Sequence, residues 1–553
     1  YSTFERNQAI NVKKIFYLFI TVITFYSVNA QTKLTQQKDT LDAGTLLNII
    51  YADRMNLKKD DSLNQFISLA GNVQVKQHKT LFYADSAVLN QHLNILEAFN
   101  KIHINDADSI HTYADYLKYV GKEKKAYLKK NVKLTDGKGV LTTDELEYDV
   151  NTKIGTYLKG GKVVNGKTIL TSKEAVYYGE TKDVFFRNKV VLKDPDYTIY
   201  TDTLLYNTYT NITTFVSPTT IISGKTKIKT RKGYYDLNKK KAYFGERPEI
   251  EDSTGTLKAD EVAIDDSIGK SEFKGNVVYK GKDSTGGFDI IANKVERNEK
   301  KGTVRATEAP ILLLKQGKDS VYIRADTFFN ARLSDLLKEK NIVDVRDSLG
   351  WKNYVIPETD KDSASDKYFE AYSNVKIFSD SMQAAGDSLF YSLKDSVFRL
   401  FKNPVAWSDE NQITGDTIYL YTQNKKPEKI RVFENALAIS HAGSIYYNQV
   451  AGRTIHGYFI DGKMDSLRCK GAPAHSVYYG VDDYGKFFGV NVATSDVIDL
   501  FFKEGKADKV VFRNQLEGTT YPMRQVNHDA IKVKGFQWLD NKRPKTKYEI
   551  LSY

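Results

Sequence analysis

The sequence predicts an all-β protein, built as an elongated, solenoid-like stack of short strands with a repeat of about 30 residues. Three observations support this prediction. The chain is rich in aromatic residues, with 37 Tyr and 28 Phe among 553 residues, and such side chains suit the pleated surface of a sheet. Many stretches alternate apolar and polar residues with a period of two, which is typical of strands. In addition, two short corner signals recur in phase along the chain.

The first corner signal is a small residue followed by an acid. Weaker copies occur at Lys173-Glu174 and Ala292-Asn293, and a degenerate one at Arg231-Lys232. With these copies included, successive signals are 28 to 33 residues apart from Asp53 to Asp326. Because Lys232 or Asn293 can replace the acid, we interpret it as a structural corner residue that accepts backbone N–H bonds. The predicted corner acids are Asp53, Asp85, Asp115, Asp144, Asp202, Asp260 and Asp326, with later copies at Asp387 and Asp416.

The second corner signal follows about half a repeat later and consists of Gly or Asn before Val, as in Gly71-Asn72-Val73. Gly and Asn tolerate left-handed backbone, so they mark corners between strands. Each signal opens an alternating stretch, which places Val73 and Val75 on one face of a strand. The strands are predicted to be short, with 4 to 8 residues each. The residue four positions after the acid is often aromatic, as at Tyr119, Tyr148, Tyr178, Tyr206 and Tyr391.

The phase of these signals divides the chain into segments. One helix is predicted, at 330–341, where a polar, charged insertion begins. After Asp416 the intervals lengthen and the pattern blurs. The predicted segments are a signal peptide (1–30), a linker (31–44), a first repeat region (45–330), the insertion (331–366), a more divergent repeat region (367–520) and a C-terminal tail (521–553).

The first thirty residues are typical of a secretory signal peptide. Lysines at 13–14 precede an apolar run at 15–26, and the small residues Val28 and Ala30 follow. The run is shorter than the roughly 20 residues that a spanning helix needs. We therefore expect an exported protein. Its single cysteine, Cys469, cannot form a disulfide within one chain.

No chemical motif of an enzyme is visible in the sequence. The eight His are scattered, and no pair has the spacing of a helical metal site. His456, Cys469 and His475 are the nearest approach to a ligand set, and we interpret them as packed or surface residues. The sequence thus predicts a non-enzyme without metal or cofactor. The net charge of +12 favours phosphorylated lipids, acidic glycans or membrane surfaces over nucleic acid as partners.

The repeats resemble a known family. The stretches 69–89, 129–148 and 273–294 are similar to the OstA-like periplasmic domain, which forms LptA and the N-terminal part of LptD in lipopolysaccharide export. The tail segment 535–545 is similar to the closing segment of long OstA-like proteins. The resemblance covers 45–330 and, more weakly, 367–520.

The resemblance implies a V-shaped β-jellyroll whose apolar interior holds acyl chains, without catalysis or cofactor. It also implies a location in the periplasm or at the outer membrane. The implied partners are lipopolysaccharide or a related acylated lipid, and other lipopolysaccharide-transport proteins at the inner or outer membrane. The residues predicted to line the lipid path follow the corners: Val73, Val75, Val132, Leu134, Val163, Val190, Leu192, Val277 and Tyr279.

Periodicity alone leaves alternatives open, because a packed core and an open trough share one pattern. The second hypothesis is a structural or adhesive β-solenoid of the cell envelope with a packed interior. The third is a β-helical polysaccharide-degrading enzyme, for which no converging acids are visible. A membrane barrel also alternates, but its signature is segments of about ten residues with an outward apolar band.

Overall fold

The computed structural model describes residues 46–59, 65–282, 288–316, 319–340, 366–392, 394–423, 426–482, 484–503 and 506–552. The predicted signal peptide, the predicted linker at 31–44 and positions 341–365 of the predicted insertion lie outside the described residues. Strands make up 70% of the structure and helices 3%, so the predicted fold class, an elongated all-β repeat, is confirmed.

Forty strands in the described ranges form one hydrogen-bonded antiparallel sheet that follows the chain as a meander. Strands β1 to β14 are Asn48–Tyr51, Arg54–Lys59, Gln65–Gln77, Thr80–Asn90, Ile95–Asp106, Ile110–Val120, Lys125–Thr135, Gly139–Asp149, Ile154–Tyr157, Gly161–Asn165, Thr168–Ser172, Glu174–Tyr178, Asp183–Lys193 and Thr198–Asn207.

Strands β15 to β28 are Ile212–Phe215, Thr219–Ser223, Thr226–Thr230, Lys232–Asp236, Lys241–Gly245, Glu249–Glu251, Gly255–Lys258, Glu261–Asp265, Lys270–Gly281, Phe288–Asn298, Thr303–Thr307, Ile311–Gln316, Asp319–Arg324 and Thr327–Arg332. Strands β29 to β40 are Lys367–Phe378, Gln383–Ser392, Val397–Phe401, Val405–Ser408, Asn411–Thr414, Thr417–Gln423, Lys426–Ala442, Tyr446–Ile460, Lys463–Val481, Phe487–Lys503, Lys506–Arg513 and Glu517–Pro522. Helix α1 is Leu333–Lys340 and helix α2 is Lys547–Leu551.

Each long strand bends near its middle, so the sheet folds into two facing halves. In β3 the register with β4 shifts between Ala70 and Val73. In β4 the register with β5 shifts between Tyr83 and Ser86. We call the half that contains residues 65–70 half-sheet A and the half that contains residues 73–77 half-sheet B. Apolar side chains of both halves belong to one buried cluster that fills the space between them.

The two corner signals of the sequence lie side by side on neighbouring strands and bond to each other. The backbone N–H of Asp53 donates to the carbonyl of Gly71 at 2.9 Å, and the Asn72 side-chain amide donates to the Asp53 carboxylate at 3.0 Å. The donor to the carboxylate is therefore an asparagine side chain, where we expected a backbone N–H. Matching amide-to-acid bonds join Asn131 to Asp115, Asn276 to Asp260, Asn374 to Asp326 and Asn435 to Asp416.

At most of the corners in alternate strands, two consecutive residues have positive φ. Asn72 has a φ of 48° after Gly71 at 77°, and Asn131 has a φ of 51° after Lys130 at 63°. Such a backbone turns the strand while the ladder resumes on either side, as in a β-bulge. The acid beside it anchors the turn from the next strand.

The predicted strand length of 4 to 8 residues is wrong for many strands. Strand β3 has 13 residues, β4 has 11 and β37 has 19. The reason is that the corner bends a strand without ending its ladder, so two short arms count as one strand. Where the ladder does break at the corner, as between Thr168–Ser172 and Glu174–Tyr178, the arms are five residues each. The arms lengthen in β35 to β38, which explains why the repeat blurs after Asp416.

The helix predicted at 330–341 is present as α1 at Leu333–Lys340, whereas residues 330–332 are the end of β28. None of the helices in the described part of the chain is both long and apolar enough to span a bilayer.

The C-terminal segment, residues 523–552, runs back along the outer face of half-sheet B against the chain order. We call it the strap. It begins beside β38, where Val526, Ile531 and Val533 pack on a cluster around Tyr479. It ends beside β27 and β29, where Ile550 is fully buried against Ile311 and Phe378. Under the strap β32, Val405–Ser408, is buried on both faces, whereas β4 shows one-sided burial.

A substitution at one corner glycine tests the acid-bonded corner. Gly275 has a φ of +72°, and an added Cβ would lie 2.4 Å from Asp260 Oδ2. We expect Gly275→Ala to cost about 1–2 kcal/mol for the left-handed backbone, and up to about 1 kcal/mol more because the half-exposed Asp260 must leave its partners. The measurement is the urea midpoint of unfolding followed by circular dichroism.

Gly166→Ala is the matched control, because Gly166 has a φ of +59° and open space around the added Cβ. It carries the backbone cost alone. Equal losses of stability in the two variants would contradict the proposed role of the acid at the corner.

Candidate functional site

The interior between the two half-sheets is one continuous apolar cluster. It includes Leu47 near the start of the described chain and Leu500 in β38 near its end. Its members come from both arms of each bent strand, as Leu69 and Val73 of β3 show. A long apolar interior of this kind offers a path for apolar groups, and its openness varies along the chain.

The residues predicted to line a lipid path lie in this interior, although one of the nine is only half-buried. Eight are buried within the cluster: Val73, Val75, Val132, Leu134, Val163, Val190, Leu192 and Val277, with exposures between 0% and 4%. Tyr279 is half-buried, with its ring 5.4 Å from Phe288 and its hydroxyl donating to the carbonyl of Thr254. In the first repeat region (45–330) these interior side chains pack against each other. Their role in binding a lipid stays a prediction.

A row of tyrosines closes the first region where the tips of the two half-sheets meet. Each tyrosine is near the tip of half-sheet A, and the hydroxyls of four of the five bond to a polar side chain at the tip of half-sheet B. Tyr148 donates to Asp106 at 2.9 Å, and Tyr177 donates to Asp136 at 3.0 Å. The row, which we call the tyrosine ladder, consists of Tyr119, Tyr148, Tyr177, Tyr206 and Tyr235, at intervals of 29 residues.

The outer members of the ladder follow the same scheme with other partners. Tyr119 bonds to Gln77, and Tyr206 accepts a bond from Asn165 at 3.0 Å. Tyr235 is the exception, because its hydroxyl donates to Asp266 of its own half-sheet at 3.3 Å. It reaches half-sheet B only through its ring, which packs edge-on against Tyr197 with centroids 5.1 Å apart. The ladder thus joins the tips of the two half-sheets from Gln77 to Tyr235.

Sequence reasoning found three of the five ladder tyrosines but placed the one in β12 one residue too late. Tyr119, Tyr148 and Tyr206 are the predicted aromatics, but the third member is Tyr177, whereas the predicted Tyr178 is 40% exposed. At that corner the position equivalent to the acid is Lys173, so the count from Glu174 is one residue late. A search for Tyr at a fixed interval of 29 residues would have found the row, including Tyr235.

Burial and charge make the ladder bonds strong. Desolvation first, and then the charge of Asp106, raise the pKa of Tyr148, so its hydroxyl stays protonated and donates. Desolvation tends to raise the pKa of Asp136, but bonds from the N–H groups of Gly139 and Lys138, the Tyr177 hydroxyl and the charge of Lys182 outweigh it and lower that pKa. Buried hydrogen bonds to an ionised group each contribute about 1.5–3 kcal/mol.

Beyond the ladder the interior opens into a cavity of about 160 Å³. Its walls are apolar side chains of both half-sheets, with Ile377 and Ala406 on one side and Phe398, Ile418 and Leu420 on the other. A cavity of this volume and chemistry can accept an apolar group about the size of benzene without rearrangement. No residue from the predicted lipid path lines it.

The mouth of the cavity lies between two hairpin turns. On half-sheet B, Ser379, Ser381 and Met382 line it. On half-sheet A the turn at Gly462 faces them, since a Cβ added there would lie 3.7 Å from the Ser381 Cβ. Lys426, whose Nζ is 4.0 Å from the Asp461 carboxylate, sits at the same edge. The cavity therefore has an apolar interior and a small polar mouth with a lysine.

The residues that the sequence offered for other chemistry do not form a reactive site. Cys469 is fully buried, and desolvation raises the pKa of its thiol to about 12. Burial, and then the charge of Arg431, lower the pKa of His456. Among the described residues, no three His, Cys, Asp or Glu side chains converge as a metal site.

Two family models match the chain. A model described as OstA-like protein matches residues 45–202 and 177–260. A model described as LptA/(LptD N-terminal domain) LPS transport protein matches residues 256–426. Together they span residues 45–426 of a chain of 553 residues. The chain belongs to the OstA-like family of lipopolysaccharide transport.

Proteins of the OstA-like family are transport proteins, not enzymes, and are periplasmic or associated with the outer membrane. One solved structure similar to this OstA-like protein is LptH, titled as the LptA homologous periplasmic component of the lipopolysaccharide transport device from Pseudomonas aeruginosa. The identity is 15%, over 34% of this chain and 84% of that chain, with a TM-score of 0.14. No curated protein matches the chain.

The tyrosine ladder and the cavity lie in different parts of this OstA-like protein. The ladder falls within the first match, at 45–260. The cavity residues run from Val321 to Gly462, across the end of the second match at 426. The protein thus combines a segment whose edge is closed by the tyrosine ladder with a segment that contains an open cavity.

Loss of one ladder hydroxyl tests how tightly the tips are held. We expect Tyr148→Phe to lower the free energy of unfolding by about 1.5–3 kcal/mol, because the buried Asp106 carboxylate loses a donor. Tyr178→Phe, at an exposed ring two strands away in half-sheet A, is the control and should change it by less than about 0.5 kcal/mol. Urea unfolding measures both, and equal effects would argue against the ladder.

The ladder also predicts a pH dependence. Because the folded pKa of Asp136 is lowered below 3.8, its ionised form stabilises the fold above that pH, and this contribution is lost as pH falls through the folded pKa. We expect Asp136→Asn to lower the Tm at neutral pH, and the difference from wild type to shrink progressively as the pH falls below 3.8. Thermal unfolding at a series of pH values measures it. A difference that does not change with pH would contradict the assignment.

Proposed function

We propose that this protein is a non-enzymatic lipid-transfer scaffold that binds the acyl chains of lipopolysaccharide between its half-sheets during outer-membrane assembly. The observation that carries the proposal is the apolar cavity between the half-sheets, which opens at one edge, whereas the tyrosine ladder closes that edge earlier in the chain. Acyl chains gain about 0.8 kcal/mol for each CH₂ group that leaves water. An apolar space open at one side offers that gain.

The chemistry of the mouth supports the same substrate class. A lipid with phosphorylated headgroup and several acyl chains needs an apolar space for the chains and a polar edge for the headgroup. Leu420 and Ile418 line the apolar space, and Lys426 provides a positive charge at the polar mouth. Lysine binds phosphate as a point charge. The partners that follow from the proposal are the lipid and other lipopolysaccharide-transport proteins at the inner or outer membrane.

The cavity also bears on the alternative of a structural β-solenoid. A packed structural core has few voids larger than a water molecule. The first region fits that description, since eight of the nine predicted lining residues are buried at 4% exposure or less. The open cavity farther along the chain favours a binding role for the second region. We propose it as the entry point, with the path through Val277 and the earlier positions reached only when the interior opens.

A photo-crosslinker at Leu420 tests the proposal. Leu420 lines the cavity, whereas Tyr419 on the same strand faces outward, with its ring 5.1 Å from that of Phe433. In cells that make lipopolysaccharide, irradiation should give a lipopolysaccharide adduct with the crosslinker at Leu420 and none with it at Tyr419. The adduct is detected by an upward shift on a gel and by immunoblotting for lipopolysaccharide.

Equal labelling at the two positions, or none at either, would refute lipid binding in the cavity and leave the structural β-solenoid. A further crosslinker at Val277, which is fully buried, tests the proposed path. An adduct there shows that a lipid reaches the packed region, and an adduct at Leu420 alone confines the lipid to the cavity.

A further inference from the structure

The strap contacts half-sheet B through three buried glutamines that share one row of the outer face. The register places Gln383 opposite Trp407, which pairs with Gln412, and Gln412 lies opposite Ile439, which pairs with Gln449. Their exposures are 7%, 0% and 2%. Buried amides need partners, and here the strap supplies them.

Two of the glutamines hold the strap by its backbone. Gln412 accepts from the N–H of Leu539 at 2.7 Å and donates to the carbonyl of Gln537 at 2.7 Å, so its side chain pairs with the strap as a strand would. Gln449 accepts from the N–H of Val533 at 3.0 Å. These bonds fix the register of the strap on the sheet.

The third glutamine connects the strap to the cavity. Arg543 donates through Nε and Nη2 to Gln383 Oε1, at 2.8 and 2.6 Å, and through Nη1 to the carbonyl of Asp409 at 2.8 Å. Gln383 in turn donates from Nε2 to the carbonyl of Ser379 at 2.8 Å. Gln383 and Ser379 both line the cavity. A continuous chain of hydrogen bonds therefore leads from the strap to the mouth.

The far end of the strap holds the same turn by packing. Phe378, the residue just before Ser379, is buried with Ile550 and Ile311. Arg324 donates to the carbonyls of Ile550 and Ser552, which ties the end of the strap to β27. The turn from Phe378 to Gln383 is thus held on its outer side by the strap, while its inner side forms one rim of the cavity.

We propose that Arg543 is a positioning residue for lipid exchange: through Gln383 it holds the half-sheet B rim of the cavity, Ser379 to Met382, in place against the Gly462 turn. The strap then sets how often the mouth opens. The part of this inference that concerns lipid exchange rests on the proposed function, because an acyl chain can exchange through the mouth only if the cavity binds one. The geometry of the rim itself does not depend on that function.

A thiol placed in the rim reports the opening directly. Ser381→Cys puts one half-buried sulfur at the mouth, and the native Cys469 is buried with a raised thiol pKa, so it reacts slowly. In the full chain, we expect Arg543→Ala to increase the rate of maleimide labelling at position 381 by about tenfold, because charge-assisted bonds that hold the rim are lost. Arg524→Ala, an exposed arginine of the strap, is the matched control and should leave the rate unchanged.

Two further variants separate positioning from general loss of structure. Arg543→Lys keeps the charge but cannot form the forked bond, and should give an intermediate rate. Gln383→Met keeps the shape without the amide, and should match Arg543→Ala. Thermal unfolding of each variant should stay within a few degrees of wild type. An unchanged labelling rate in Arg543→Ala, or an equal increase in Arg524→Ala, would overturn the inference.

Exchange of a fluorescent fatty acid tests the link to transport. Faster labelling together with faster release of the probe in Arg543→Ala, measured by stopped flow, supports the whole proposal. Faster labelling with no probe binding by any variant, wild type included, would refute the proposed acyl-binding function and leave the positioning of the rim supported. Unchanged labelling and release with normal probe binding would refute the role of Arg543 and leave the proposed function standing.

Discussion

The left-handed corner is the constraint on which the whole structure depends. At most corners, two residues of positive φ in one strand turn the meander, and at several of them an asparagine bonds to an acid on the neighbouring strand. Without this bend the strands would continue as one open, twisted sheet with no enclosed interior. With it, the sheet folds on itself, and each rung adds a pair of apolar arms to the same core. A corner costs backbone strain, and the amide-to-acid bond between neighbouring strands offsets part of that cost.

Folding a sheet in this way creates an edge where the tips of the two halves face each other, and the protein treats that edge in two ways. From Gln77 to Tyr235 the tips are joined by the tyrosine ladder, through four hydroxyls that bond to polar side chains of half-sheet B and through the ring of Tyr235, which packs on Tyr197. Between Val321 and Gly462 a cavity lies between the tips. At the position four after the corner acid, β34 has Leu420, which lines the cavity, whereas β30 keeps Tyr391, whose ring stacks on Phe398. A phenol bridges the gap, whereas a leucine only lines it.

The strap adds a second layer where the corner repeat is least regular. The long arms of β35 to β38 and the neighbouring β32 and β33 present apolar and aromatic side chains outward, and residues 523–552 cover them. His441, Tyr447 and Trp538 stack within this layer, with centroids 4.6 to 5.3 Å apart. Because the same segment reaches the rim of the cavity through Arg543, stability of the divergent region and access to the interior depend on one structural element.

The sequence alone determined the all-β class, the repeat, the positions of the corners and helix α1, because period-two alternation and left-handed backbone are local properties. It also determined which side chains point inward, since Val73 and Val277 alternate with polar neighbours. Only the tertiary structure decided that Asn72 bonds to Asp53, that Tyr177 and not Tyr178 reaches across the edge, and that the open cavity lies outside the predicted path. These depend on contacts between residues 19, 41 and more than 100 positions apart in the chain. A local pattern contains no information about which distant side chains meet, so the strap, the ladder and the cavity emerge only when the two half-sheets face each other.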